Sequence, residues 1–136
     1  RAVDEDTDAF NAIMAAFGMP NTTPEEKAAR KAAIQAATKV AIEVPYKVME
    51  LSFRSFELIR QMVATGNPNS VTDAGTGALC ARAAVYGAFL NVKVNASGLN
   101  DKEYAAKVVA DGERVIRAAD QMESEILALV HKSIES

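Results

Sequence analysis

Residues 70–95, SVTDAGTGALCARAAVYGAFLNVKVN, decide the fold class because their pattern predicts a helix, from roughly Ser70 to Asn95, with small residues along one face. Steps of three and four from Asp73 reach a series of small or polar positions: Gly77, Cys80, Ala84, Gly87, Asn91 and Asn95. A face without bulk lets another backbone approach closely, and its polar ends point into the remaining space. The segment predicts either a helix that builds a ligand site or the seam of a tight dimer.

Helix signals also precede this segment. A first helix is predicted from about Val3 to Phe17, and we expect Gly18 to end it in the left-handed conformation. A second begins at Thr23-Pro24-Glu25-Glu26, where Thr23 caps and Glu26 completes a capping box. Pro45 should bend or break this helix before a further amphipathic stretch that ends at Gly66.

The last helix opens at Asn100, with Glu103 as its capping-box partner, and extends to about Val130. No segment alternates as a strand does, and the loops near 18–23, 65–70 and 96–100 are short. With 136 residues, 49% of them hydrophobic, the chain is long enough for one core. We predict a single all-α domain of long antiparallel helices.

Composition excludes several classes of function. The formal net charge of −3 and the mixed signs argue against nucleic-acid binding, which favours a basic patch. No apolar run approaches the roughly 20 residues that cross a bilayer. The single cysteine cannot form an intramolecular disulfide, so a reducing, cytoplasmic location is expected.

Two common catalytic solutions are also missing. His131 and Cys80 are the only residues of their types, so there is no metal-ligand cluster and no Ser-His-Asp set. We interpret His131 as a residue whose cationic form interacts favourably with the negative C-terminal end of the last helix dipole. We interpret Cys80 as a small buried residue.

Carboxylates and cations remain as candidate site residues. The acidic run Asp4–Asp8 and Asp73 both stand at helix starts, where anions favour the dipole; alternatively, two such carboxylates flank a ligand. Arg30, with Lys27, Lys31 and Lys39 nearby, either holds an anionic tail or forms a solvated basic face.

Asp73 and Asn91 are too far apart on one helix to share a small ligand. At 1.5 Å per residue, they are separated by roughly 27 Å. Two copies packed along the small-residue stripe about a two-fold axis would bring the start of one helix to the end of the other. The spacing therefore indicates a dimer.

Several strings together resemble the cyclodeaminase domain of formimidoyltransferase-cyclodeaminase, a family that includes a methenyltetrahydrofolate cyclohydrolase. They occur in the family order from the first residues to the final helix: Asp4–Phe10, Thr23–Lys27 with Arg30, Val44-Pro45, Gly66-Asn67 with Asp73, and Tyr86–Asn95. In that family, an earlier helical part with a Pro- and Gly-rich segment precedes the acidic string. The resemblance thus implies that residues 1–136 correspond to the C-terminal portion of the domain.

The resemblance implies closure of 5-formimidoyltetrahydrofolate to 5,10-methenyltetrahydrofolate with release of ammonia, in histidine degradation and one-carbon metabolism. It implies Asp6 as the acid/base residue and Asp73 as a second carboxylate. The resemblance implies substrate-binding roles for Asn67, Asn91, Asn95, Arg30 and Lys39. The last two receive glutamate carboxylates of a folate that carries one or several glutamates. No metal and no organic cofactor are implied.

Two other interpretations stay open. The cyclohydrolase reaction differs in the leaving group and direction. A non-catalytic helical dimerisation module would use its acidic residues only as caps. Expected partners are a second copy of the chain, or a higher even oligomer, and a fused or associated formimidoyltransferase.

Overall fold

The computed structural model describes residues 1–136 and contains four α-helices. They are α1 (Ala2–Phe17), α2 (Pro24–Thr65), α3 (Val71–Ser97) and α4 (Lys102–Glu135), with a short 3-10 helix, Pro68–Ser70, before α3. The structure has no strand. The all-α prediction is therefore confirmed.

The helix starts follow local capping chemistry. At α2, the Thr23 hydroxyl accepts a hydrogen bond from the Glu26 amide at 3.1 Å, and the Glu26 carboxylate accepts one from the Thr23 amide at 3.1 Å. The predicted capping box is confirmed. At α4, Asp101 is the N-cap and accepts from the Tyr104 amide, so the predicted box of Asn100 and Glu103 is wrong: Asp101 is one residue nearer the helix and supplies the acceptor.

The prediction for Gly18 is also wrong. Gly18 ends α1 with φ of −76° and ψ of −8°, which is right-handed backbone that any residue adopts. Its amide still donates to the Met14 carbonyl, so the last turn simply continues for one more residue. The freedom of glycine is not needed here.

Helix α2 continues through Pro45 for a total of 42 residues, so the predicted interruption is not a break. Proline removes one amide donor and leaves the carbonyl four residues earlier without its helical partner. That carbonyl belongs to Ala41, and it accepts a hydrogen bond from the Asn95 side chain on α3 at 3.1 Å. A neighbouring helix therefore supplies the bond that α2 lacks.

Helix α2 packs against the other three helices, and α3 also packs on α4. The main core lies among α2, α3 and α4, and its largest fully buried side chains are Phe56, Ile42, Met49, Leu99, Ile126, Val85 and Val92. Helix α1 is held by a separate small cluster of Ala9, Ala41 and Val44, with Ile13 packed against it. Consecutive helices joined by short connections match the predicted bundle.

One face of α3 is uncovered. Leu79, Leu90 and Val94 are exposed on it, and a Cβ built on Gly87 would meet no atom within 4 Å. Cys80 is exposed on this helix, so its predicted burial is wrong. The chain exposes 8462 Å², whereas a compact monomer of 14.5 kDa exposes about 6,900 Å². None of the helices combines the length and apolar character that a membrane span requires.

Candidate active site

A cleft of about 440 Å³ lies where α1, α2 and α3 meet. Its lining comes from the start of α1, the middle of α2 and the second half of α3: Ala2, Val3, Asp6, Val44, Pro45, Val48, Ala84, Ala88 and Asn91. This volume is in the range of small-molecule pockets. The cleft is the place where the chain brings predicted site residues together.

The small residues of α3 create this space. Ala84 and Ala88 stand one turn apart on α3 and present only methyl groups to the cleft. On the opposite wall, Val44, Pro45 and Val48 form an apolar surface of α2. A flat ring fits between two apolar walls of this kind, because it buries both of its faces.

Asp6 and Asn91 supply the polar side chains of the cleft. Neither makes a side-chain hydrogen bond or ion pair within the protein, so both remain free for a ligand. An ionised carboxylate accepts hydrogen bonds and can take a proton, whereas an amide both donates and accepts. Both residues were predicted from the sequence as site residues, and the structure places them in one cleft.

Asn95 follows Asn91 by one turn of α3, but its side chain has a different partner. Its Nδ2 donates to the Ala41 carbonyl oxygen at 3.1 Å, and Asn95 is half-buried. Direct contact of this amide with a ligand stays a prediction. What the structure shows is that Asn95 joins α3 to α2 beside the cleft.

Asp73 and Asn67 lie at the other end of α3. Asp73 is exposed in the first turn of that helix, and it is about 27 Å along the axis from Asn91. The Asn67 side chain accepts a hydrogen bond from the Asn69 amide at 2.9 Å and caps the 3-10 helix. One copy of the chain does not bring either residue to the cleft.

Arg30 lines a basic groove at the far end of α2. Its guanidinium donates two hydrogen bonds to the Phe17 carbonyl, at 3.1 and 3.0 Å, and lies 5.6 Å from the Phe17 ring centroid. The groove has a volume of about 350 Å³ and no carboxylate in its lining, which is Asn21, Lys27, Arg30, Lys31, Ile34 and Gln35. An anion is the ligand that such a lining favours.

Lys39 lies outside this groove and is already paired. Its ammonium donates to Asp101 at 2.8 Å and lies 4.8 Å from the Tyr104 ring centroid. The hydrogen bond lowers the pKa of Asp101 and raises the pKa of Lys39. The structure therefore does not bring Arg30 and Lys39 to one anion site.

A polar cluster between α3 and α4 was not predicted from the sequence. Arg82 Nε donates to Asp120 at 2.8 Å, and the Tyr86 hydroxyl donates to the other Asp120 oxygen at 3.1 Å. The hydrogen bond from Arg82 is the main reason that the pKa of Asp120 is lowered. Arg82 and Tyr86 are four residues apart on α3, so their common face was the available signal.

A second cavity, of about 310 Å³, lies between α2 and α4. Tyr46 and Tyr104 contribute to its lining, and Lys107 in the same lining is paired with Asp111 at 2.6 Å. None of the predicted catalytic or substrate-binding residues lies in this cavity. The cleft of α1, α2 and α3 is therefore the candidate active site.

Comparison with known proteins gives a family match. Residues 1–114 match the family model described as formiminotransferase-cyclodeaminase. A methenyltetrahydrofolate cyclohydrolase of Methylorubrum extorquens is 36% identical over 132 residues, which cover 97% of this chain and 64% of that protein. The family-model match over residues 1–114 includes all nine residues that line the cleft.

Longer proteins also match. The formimidoyltransferase-cyclodeaminase of Gallus gallus is 32% identical over 130 residues, covering 96% of this chain and 24% of that protein. The protein of that name from Dictyostelium discoideum is 26% identical over 125 residues, covering 92% of this chain and 22% of that protein. The chain thus spans only part of the length of each of these relatives.

Proposed function

Because this chain belongs to the formiminotransferase-cyclodeaminase family, we propose that its cleft binds a tetrahydrofolate derivative and catalyses acid–base chemistry at the one-carbon unit between N5 and N10. The observation that supports this proposal is the pair of uncommitted polar side chains, Asp6 and Asn91, in one cleft with apolar walls. The first reaction that we propose is the cyclodeaminase reaction.

That reaction needs one proton to move between two nitrogens. N10 of the protonated 5-formimidoyl substrate attacks the formimidoyl carbon, and a new N10–C bond forms. The Asp6 carboxylate takes the proton from N10 and delivers it to the amino nitrogen. The bond between carbon and that nitrogen then breaks, ammonia leaves, and the 5,10-methenyl cation remains. A carboxylate beside the cleft also stabilises this cation.

Asn91 and the apolar walls serve to orient the substrate. An amide can donate to and accept from the polar edge of a pterin at the same time. Ala84 and Ala88 leave room for the ring against Val44 and Pro45. In this proposal, Asn91 determines which edge of the ring faces Asp6.

The anionic tail of the folate is directed to the basic groove. Arg30, Ile34, Ala41 and Pro45 follow one another by about one or two turns on the same face of α2. The groove lies about 22 Å along that face from the cleft, so a tail that extends along α2 reaches it. The proposal therefore rests on Arg30, Lys27 and Lys31, since Lys39 is paired with Asp101.

We also propose that a second copy covers the exposed face of α3. The exposed side chains Leu79, Leu90 and Val94 and the open position Gly87 support this arrangement. The surface in excess of a compact monomer, roughly 1,600 Å², is larger than the ~800 Å² that each partner contributes to a standard interface. An antiparallel pair would carry Asp73 of one copy toward Asn91 of the other.

A second candidate reaction is the hydrolysis of methenyltetrahydrofolate to formyltetrahydrofolate. It is favoured by the Methylorubrum relative, which bears that name and matches 97% of this chain. In this reaction, water adds to the methenyl carbon and Asp6 takes a proton from it instead of from N10. The bond between that carbon and N5 then breaks as N5 is protonated, the formyl group stays on N10, and the second proton of the water is released to solvent. The same cleft serves both reactions because the methenyl cation is common to them.

Two assays on the natural polypeptide distinguish these candidates. Ammonia release from 5-formimidoyltetrahydrofolate supports the cyclodeaminase, and decay of the methenyl absorbance supports the cyclohydrolase. Replacement of Asp6 by Asn should lower kcat by about 10²-fold or more, because general acid–base catalysis contributes 10²–10⁴-fold.

Asp8→Asn is the matched control, since Asp8 lies on the same helix but outside the cleft lining. It should retain activity, and helix content measured by circular dichroism should be the same in both variants. Near-normal turnover of Asp6→Asn would remove Asp6 from the mechanism. Absence of both reactions and of folate binding in the natural polypeptide would instead indicate a non-catalytic module.

A further inference from the structure

A single side-chain hydrogen bond completes the backbone of α2 next to the cleft. Pro45 has no amide hydrogen, so the carbonyl of Ala41 has no donor within α2. Ala41 is buried, which restricts access of water to that carbonyl. The Asn95 Nδ2 donates to the Ala41 oxygen at 3.1 Å and satisfies it.

The two ends of this bond belong to the two walls of the cleft. Pro45 and its neighbour Val44 line the α2 wall, and Asn91, one turn before Asn95, lines the α3 wall. Asn91 and Asn95 are separated by about 6 Å along α3. The bond between Asn95 and Ala41 therefore joins the two walls directly beside the cleft.

Only a donor can perform this task. A carbonyl oxygen cannot pair with a carboxylate, and a buried carbonyl without a donor destabilises the fold. The amide of asparagine reaches the carbonyl from a neighbouring helix, whereas an aliphatic side chain of the same size would fill the space and leave the carbonyl unpaired. The position thus requires a donor as long as Pro45 is present.

We infer that Asn95 is a positioning residue, which holds the Pro45 turn of α2 against α3 and so sets the width of the cleft between Val44 and Asn91. This role rests on the proposed function in so far as the cleft is the active site. The residue acts through the Ala41 carbonyl and needs no contact with the substrate.

A double-mutant cycle tests the bond itself. Asn95→Ala should lower the Tm by about 5 °C or more, because it leaves a buried carbonyl unsatisfied. In a Pro45→Ala background, the amide of residue 45 can bond Ala41, and the same Asn95→Ala change should lower the Tm by less than half as much. An equal loss in both backgrounds would overturn the inference.

Two further variants test whether the effect requires a hydrogen-bond donor and whether the coupling is specific to this bond. Asn95→Asp is nearly isosteric but offers no donor, so it should lower the Tm at least as much as Asn95→Ala. Asn91→Ala, one turn away, removes the same side chain where no carbonyl depends on it, and its effect on the Tm should not depend on residue 45. If the effect of Asn91→Ala on the Tm also changed with the residue at position 45, the coupling would not be specific to the bond between Asn95 and Ala41.

The positioning role of Asn95 is measured separately from its effect on stability, by NMR of methyl groups in the cleft wall. In methyl-labelled protein well below its Tm, Asn95→Ala should shift the Val44 and Val48 resonances away from their wild-type positions. In the Pro45→Ala background, the same change should leave these resonances close to their positions in Pro45→Ala alone. The Val130 methyls, buried in the core on α4, should stay in place. Unchanged Val44 and Val48 resonances would reduce Asn95 to a stabilising residue and overturn the positioning role.

Turnover provides the third measurement. With the natural polypeptide and either proposed reaction, Asn95→Ala should lower kcat/KM about 10-fold in the presence of Pro45 and less than 2-fold in its absence. Failure of both reactions in the wild type would refute the proposed function alone, since the Tm cycle and the methyl resonances need no substrate. A normal kcat/KM in an active Asn95→Ala variant would refute the positioning role.

Discussion

Gly112 on α4 lets the ring of Phe89 on α3 lie directly against the α4 backbone. A Cβ at position 112 would stand 2.6 Å from the Phe89 ring, closer than real Cβ atoms come to their neighbours. Phe89 is buried, and Met49 lies on the same side of position 112. The close approach of α3 and α4 therefore depends on the missing side chain.

We expect Gly112→Ala to lower the free energy of unfolding by up to about 2 kcal/mol. Overpacking costs about 1–3 kcal/mol, and the better helix propensity of alanine offsets at most about 1 kcal/mol of it. Urea unfolding followed by circular dichroism measures the change. Gly77→Ala is the matched control, because a Cβ there would meet only the Ile59 side chain, at an ordinary 3.6 Å; it should not lower stability. A stabilised Gly112→Ala protein would contradict the packing that we describe.

Two ion pairs predict how stability depends on pH. Hydrogen bonds from Arg82 and Lys39 lower the pKa of Asp120 and Asp101 from the ordinary value of 3.8. Their contribution is present above pH 3.8 and is lost as the pH falls through the lowered pKa. For Lys39, the raised pKa means that its contribution is present below pH 10.5 and is lost at higher pH.

We therefore expect a stability plateau between about pH 5 and 9, with acid and alkaline losses outside it. The Tm of the wild type and of Asp120→Asn, measured from pH 2 to 7, checks the acid side. The variant should lose less stability than the wild type below pH 4. The effect is small, because both pairs are about 40% exposed. An identical acid loss in both proteins would exclude Asp120 as a contributor.

The basic groove predicts a difference between tail lengths. Lys27→Ala with Lys31→Ala should raise KM for a folate with several glutamates by about 10-fold or more, since two charge-assisted contacts are removed. KM for a monoglutamate should change less. Lys39→Ala is the control, because Lys39 is paired with Asp101 outside the groove. An equal effect of the control would place the tail elsewhere.

The exposed face of α3 predicts self-association. Leu90→Asp should shift a dimer to monomer in sedimentation velocity, since it places a charge in the apolar centre of the proposed contact. Leu58→Asp is a matched control, because Leu58 is a comparably exposed leucine on α2. A dimer that tolerates Leu90→Asp would show that this face is not the contact.

Local patterns were sufficient to predict the helices, because each is a contiguous segment with its own start and spacing. Thr23 and Glu26 predicted their capping box from four consecutive residues. Asn95 was different: its partner, the Ala41 carbonyl, is set by a proline in another helix and by how the two helices pack. The outward position of Cys80 is likewise a tertiary property, since alanines suit either side of a helix.

The candidate site was predictable in part for the same reason. Asp6 and Asn91 stood out by residue type and by resemblance, and the structure places them in one cleft. The apolar wall of Val44, Pro45 and Val48 was not predicted as part of a site, because nothing in its spacing separates a cleft wall from core. A proline within a helix, opposite a stretch of alanines, is the signal to look for.

The weak attachment of α1 has a consequence for how a ligand enters. Only Ala9 and Ala16 of this helix are buried, and α1 carries the Asp6 carboxylate. Undocking of α1 exposes little apolar surface, so it is far less unfavourable than global unfolding. We expect amide protons of α1 to exchange with deuterium well before those of α2 and α3. We therefore expect the cleft to open to a ligand by local undocking of α1, which carries Asp6, while the other helices stay packed.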